Sequence, residues 1–240
     1  MIKALRLTLT LLVLFFVSVS TALAGDYSTL NFIGFSKDGR YLAFEEYGTQ
    51  DGSGFPYSSY FFIDTAKNAY AAPQVKARIE SESASEASAR SKAALLAAKN
   101  LKQFGIVQGN TGQHVVSHII NDLTLDETET IVRFAEEIGS AYQKGVYELT
   151  VKPLPVKNKA CEPYELDTFM LHLTLANKDD ETTKVLQKDT VLPESRGCVM
   201  SYRIQDVYLY KGTIAVFLNV FTPGFEGPDM RFITVTGSLK

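Results

Sequence analysis

Acidic side chains set among aromatic ones are the part of this sequence best equipped for chemistry. The stretch 32–65, FIGFSKDGRYLAFEEYGTQDGSGFPYSSYFFIDT, holds the pair Glu45-Glu46 and a loop, Thr49 to Ser58, with Asp51, Phe55 and Tyr57 among its glycines. A second loop near the C-terminus, TPGFEGPD, carries Phe225, Glu226 and Asp229. Aromatic faces beside carboxylates suit sugars, cationic peptides or a divalent ion. If the two loops lie together, these six residues form one binding rim. The competing reading is that Phe55, Tyr57 and Phe225 only cap the core beneath glycine turns.

Neighbouring carboxylates share acid–base work only when both reach one substrate. Successive side chains of a strand point to opposite faces, so Glu45 and Glu46 cannot act together. Glu46 shares its face with Leu42 and Phe44. An unpaired buried carboxylate is costly, so Glu46 is expected to accept N–H bonds from the 49–58 loop. A cation held by Glu46 and Asp51 is the alternative. His114 and His118 would lie about 6 Å apart along a helix and could share a metal. The β-branched residues around them favour a strand, where the same spacing is about 13 Å and too wide. The segment GIVQGNTG (105–112) lacks the Lys-Ser/Thr ending of a phosphate loop, and no G-x-S-x-G elbow occurs. No catalytic residue, metal or cofactor is therefore assigned.

The elements that must position these groups are mostly strands. Asn31–Phe35, Tyr41–Tyr47 and Tyr60–Ile63 read as three strands joined by a Ser-Lys-Asp-Gly turn and the glycine loop. The order resembles one propeller blade with an FSxDGxxLAF core. Further strands are expected at 114–120, 130–135, 146–152, 169–176, 184–187, 201–209, 213–221 and 231–236. The unit YLYKG followed by IAVFLNV echoes the opening one, so similar three-stranded units begin and end the chain. Between them, about 79–104 is rich in Ala, Ser, Glu, Lys and Leu and reads as an inserted amphipathic helix. Ser83 and Glu86 would form its capping box, Gly105 its C-terminal glycine, and Ala94, Leu95, Ala98, Leu101 and Phe104 its buried stripe. The expected fold class is mainly β: antiparallel meanders in a propeller-like or sandwich body.

Composition bounds the rest. Lys3 and Arg6, the apolar run Leu7–Val19 and Ala22-Leu23-Ala24 read as a signal peptide cleaved before Gly25. The apolar run is shorter than the ~20 residues that span a bilayer. Removing 24 of 240 residues leaves 216, enough for a single domain at 25–240 with its own core. Without Lys3 and Arg6 the 24 basic residues become 22 against 27 acidic ones, a charge near −5 that argues against nucleic acid. Export makes a disulfide the expected state of the two cysteines, Cys161 and Cys198. These features imply a periplasmic or secreted protein with no membrane span after cleavage.

The combination FSKDGRYLAFEEYGTQDGSGFPYS, GNTG, LPESRGC, YRIQDVYLY and FEGPDMRFITVTG resembles one family across the mature chain. It is the predicted secreted bacterial proteins called domain of unknown function family 2259. The resemblance implies export and supplies no catalytic residues to carry over. The function read from the sequence is non-enzymatic binding of a ligand or envelope partner through the two loops. The alternative is a hydrolase acting on an envelope glycan or peptide through loop carboxylates.

Overall fold

The computed structural model describes residues 25–118, 131–139, 143–225 and 227–239. The expected leader, the ends of two expected strands (119–120 and residue 130) and Glu226 lie outside the described residues. The fold is mainly β, with antiparallel sheets and sandwich-like packing in place of a closed barrel.

The described residues form three sheets. The opening sheet contains β1 (Thr29–Phe35), β2 (Tyr41–Thr49), β3 (Pro56–Asp64), β4 (Ala69–Tyr70) and β5 (Val75–Arg78), the last two both paired with β3. The closing sheet has the order β13 (Pro228–Ser238), β12 (Thr213–Pro223), β11 (Ser201–Tyr210), β6 (Gln113–Ser117). A middle-chain sheet runs β10 (Thr182–Lys188), β9 (Thr168–Asn177), β8 (Gln143–Val156), β7 (Ile131–Ile138). The helix α1 (Glu86–Gln103) packs on the outer face of the opening sheet. The layers therefore stack as helix, opening sheet, closing sheet, middle-chain sheet.

β12 explains this order. Its β-branched and aromatic run suits a strand, and Lys211-Gly212, both at positive φ (50° and 77°), makes the tight turn from β11. Ala215 and Phe217 face the opening sheet, where they meet Phe35, Leu42, Phe44, Phe61 and Ile63. Ile214, Val216, Leu218 and Val220 face the middle-chain sheet. A strand apolar on both sides has to be sandwiched. The opening and closing units thus pack face to face.

The helix corrects the sequence reading. It is capped by Ser85, whose hydroxyl accepts from Ser88 N, and not by Ser83; residues 75–78 before it form a strand. Its buried stripe is Ala89, Ala93 and Ala97, whereas Leu95 is 80% exposed. Along the middle of the helix Tyr60 and Phe62 fill the interface and leave room for methyl groups, while Ala94, Leu101 and Phe104 of the expected stripe do pack, half-buried, against the same cluster. Gly105 does follow the helix at φ +60°. The GIVQGNTG segment then seals a bulge in β1, Val107 N donating to Phe35 O at 3.1 Å and Phe35 N to Asn110 O at 2.8 Å. Gly34 is needed there, because a Cβ would stand 2.5 Å from Val107 O.

Cys161, in the turn after β8, pairs with Cys198, just before β11, across 37 residues. Closing a loop of that size contributes about 4 kcal/mol in the chain-entropy account. Replacing both cysteines with serine is expected to lower the unfolding free energy by up to that amount in a urea titration. Ala93→Leu should cost about 1–3 kcal/mol by overpacking, while Leu95→Ser changes stability by no more than about 0.5 kcal/mol. Thermal melts of the two variants compare them directly.

Candidate functional site

Glu45 and Glu46 do face opposite ways. Glu45 is 1% exposed and points to the helix, where Arg90 donates to both its oxygens at 2.9 Å. Asn31 and Ser58 add bonds of 2.8 and 2.9 Å. Burial pushes this carboxyl up, but these hydrogen bonds outweigh it and hold it below the usual carboxylate range. Arg90 also lies 3.9 Å over the Tyr47 ring. All this clamps the helix to the sheet.

Glu46 points inward, and its partner corrects the sequence reading. It accepts from Phe232 N of β13 at 3.2 Å, not from the 49–58 loop. That loop satisfies itself, with Gly54 N bonding Gln50 O and Gln50 N bonding Phe55 O, each at 3.0 Å. Burial raises the Glu46 carboxyl above its ordinary value, although the Phe232 amide and the charges of Arg231 and Lys76 oppose the shift.

The two loops are tied at their roots by Asp26. Asp26 N donates to Asp229 Oδ1 at 3.0 Å, and the Tyr57 hydroxyl donates to Asp26 Oδ1 at 3.1 Å. Arg231 Nη2 reaches Asp26 Oδ2 at 2.6 Å, and the Arg231 guanidinium lies 5.2 Å from the Tyr57 ring centre. Tyr57 is buried, and desolvation raises its hydroxyl. Tyr57 and Asp229 are thereby brought together, Tyr57 buried in the fold and Asp229 half-buried beside it. The other expected rim residues are placed differently. Asp51 is exposed and accepts from Gly52 N at 2.8 Å, Phe55 is half-buried, and Phe225 is 93% exposed.

A cleft of about 1040 Å³ opens beside this network, between the β3–β4–β5 side of the opening sheet and edge strand β13. Glu46 and Arg231 reach it from the network, and the Cys198 segment closes its far side. Pairing places Glu46, Ser59 and Lys76 in one row across β2, β3 and β5. Phe61, Tyr70 and Tyr164 supply aromatic surface, and Tyr70 and Tyr164 are exposed. Three cations, Lys76, Arg196 and Arg231, line it against Glu46 and Glu194. Arg196 is paired with Asp189 and Arg231 with Asp26, whereas Lys76 makes no salt bridge among the described residues and acts on Glu46 only at longer range.

Sequence reasoning missed this cleft because its residues come from segments nearly 190 positions apart. The alternation of β3 and β5 could have placed Lys76 in the row of Glu46, had the β5 strand been recognised.

His114 and His118 serve the scaffold. His114, on β6, bonds Asp206 at 2.7 Å and stacks on Tyr208, and His118 Nδ1 lies 3.2 Å from Ile204 O. Among the described residues no group of three or more His, Cys, Asp or Glu is placed to hold a metal. Nor is any helix among them long and apolar enough to cross a membrane.

The family described as predicted secreted protein (DUF2259) matches residues 43–238. The chain belongs to that family. No curated protein and no solved structure matches it. The DUF2259 match spans β2 to β13, and so takes in both walls of the cleft and both cysteines. Asp26, which ties the loop roots, precedes the matched region.

Glu46 gives a pH test. Its folded carboxyl binds a proton more tightly than its unfolded one, so it lowers stability as pH rises from the ordinary value of 4.5 through the raised one. Glu46→Gln keeps an acceptor for Phe232 N and removes the ionisation. Its melting temperature should gain on the native protein between pH 4 and pH 8, approximately neutral conditions showing the larger gap. A gap that narrows with rising pH would contradict the assignment.

Proposed function

We propose that this member of the secreted family is a non-enzymatic binding protein that holds a small organic ligand in the cleft between its opening and closing sheets. The observation that carries this reading is the cleft itself, about 1040 Å³ with exposed aromatic residues at its rim and charged groups inside. Ligand sites are typically concave, partly apolar and equipped with a few convergent polar groups. The loop rim supports binding less well. The carboxylates of Asp51 and Asp229 accept backbone N–H groups, and the Tyr57 hydroxyl is bonded to Ser28 and Asp26. Among the described rim residues, Phe225 offers an exposed ring to a partner. Export after removal of residues 1–24, into the periplasm or the medium, fits a scavenging or sensing role.

A hydrolytic reading has one observation in its favour. Glu46 is a buried carboxyl with a raised proton affinity at a cleft, a combination found at acid–base sites.

Native mass spectrometry of the mature protein, incubated with a small-molecule extract of the producing cell envelope, tests the proposal. A retained ligand mass should survive in Asp51→Ala/Phe225→Ala and fall about tenfold or more in Tyr70→Ser/Tyr164→Ser. The opposite pattern would move the site to the loops. Product masses that vanish in Glu46→Gln would make the protein a hydrolase.

A further inference from the structure

The free edge of β13 is almost fully occupied by groups of the protein itself. In an antiparallel strand, alternate residues turn their N–H and C=O away from the paired neighbour. On β13 the outward residues are the even-numbered ones, as three contacts show. Met230 N donates to Asp26 O at 3.0 Å, Phe232 N to the Glu46 carboxylate at 3.2 Å, and Thr236 N to Asn68 Oδ1 at 2.8 Å. Thr234 lies midway between the last two. Its outward N–H has no partner among the described residues, and its hydroxyl is buried without one. Thr234 lines the cleft. A buried polar group left unpaired costs about 1–3 kcal/mol, so the orphaned hydroxyl, with the outward amide of the same residue beside it, calls for an acceptor from outside.

The neighbouring residues indicate what that acceptor is. The chain fills the flanking positions with a carboxylate (Glu46) and an amide carbonyl (Asn68), leaving a gap one outward residue wide. A paired β-strand needs several successive outward positions, so an added peptide strand does not fit. Lys76, across the cleft, makes no salt bridge among the described residues, and Phe61 and Tyr70 offer apolar surface. Lys76 thus brings a positive charge not held in a salt bridge to the cleft in which two donors are open.

We infer that Thr234 and Lys76 anchor the carboxylate of a small organic acid, whose apolar body lies along Phe61 and Tyr70. The inference rests on the cleft being the binding site, and it adds the ligand's chemistry. The carboxylate could belong to a free acid or to a peptide C-terminus, since both present the same group.

The test uses ¹⁵N-labelled mature protein with phenylacetate as the probe and its methyl ester as the uncharged control. Without probe, the Thr234 amide should exchange with solvent faster than the ladder-bonded amides of Ile233 and Val235. Phenylacetate should shift and protect the Thr234 amide, and the ester should bind about tenfold more weakly or worse. Lys76→Gln should cost about tenfold in affinity for the acid and leave the ester unaffected. Thr234→Pro removes the outward N–H without touching the β12 ladder and should abolish protection. Should that variant not fold, Thr234→Val and the amide shifts of the native protein decide. N-acetylglycylphenylalanine in place of phenylacetate distinguishes a peptide terminus from a free acid.

Shifts at Tyr70 and Phe61 with Thr234 unmoved would overturn the anchor and leave the cleft as the site. Equal binding of acid and ester would overturn the carboxylate. If no cleft amide responds while the cleft still retains a ligand from the envelope extract, the anchor alone fails. If neither binds there, the anchor and the binding reading fall together.

Discussion

Phe217 lies where the opening and closing sheets meet, with no exposed surface and with the rings of Phe32, Phe44 and Tyr208 centred 5.1, 5.4 and 5.8 Å away. Aromatic side chains bury more area than any others and favour tilted or edge-on contacts of this kind. The strand that carries Phe217 turns its alternate residues to the middle-chain sheet, so one strand serves two cores. The distance between the sheets is therefore set by large rings on one side and branched aliphatic residues on the other. Everything at the edges of those sheets, the cleft included, inherits its width from this packing.

Charge pairs then join the layers at points the apolar cores do not reach. Arg90 and Glu45 fasten the helix to the opening sheet, Asp26 and Arg231 fasten the first described residues to β13, and Asp189 and Arg196 steady the segment before Cys198. Each pair has one partner almost wholly buried and the other in part exposed to water, which limits the desolvation cost that makes fully buried pairs unfavourable. The Asp26–Arg231 pair also joins the Tyr57 hydroxyl and the Asp229 carboxylate. Side chains that could have formed a rim for a ligand hold the loops to the body in this way.

This has a consequence for where binding can occur. Among the described residues the loops present the exposed ring of Phe225, whereas the cleft presents aromatic surface, a cation outside any salt bridge and an edge-strand residue with open donors. A site formed by facing sheets is held by the cores behind it, and so keeps its shape better than one formed by loop tips. Raised proton affinity at Glu46 follows from the same enclosure, because the groups that exclude water from the sheet interface also exclude it from that carboxyl.

The sequence by itself determined the local pieces. Alternating aromatic and β-branched runs marked the strands, Gly39 and Gly212 marked their turns, and one-residue spacing put Glu45 and Glu46 on opposite faces. Two cysteines in an exported chain left one pairing, and the motifs from FSKDGRYLAF to FEGPDMRFITVTG carried the family. Tertiary structure decided what each face meets. The helix buries Ala93 and exposes Leu95 because Tyr60 and Phe62 occupy the space a leucine would need. Glu46 finds Phe232 N, 186 residues away, because two sheets similar in pattern pack face to face. Periodicity states which residues share a side but carries no record of the surface opposite, and a cleft assembled from both surfaces exists only once they are brought together.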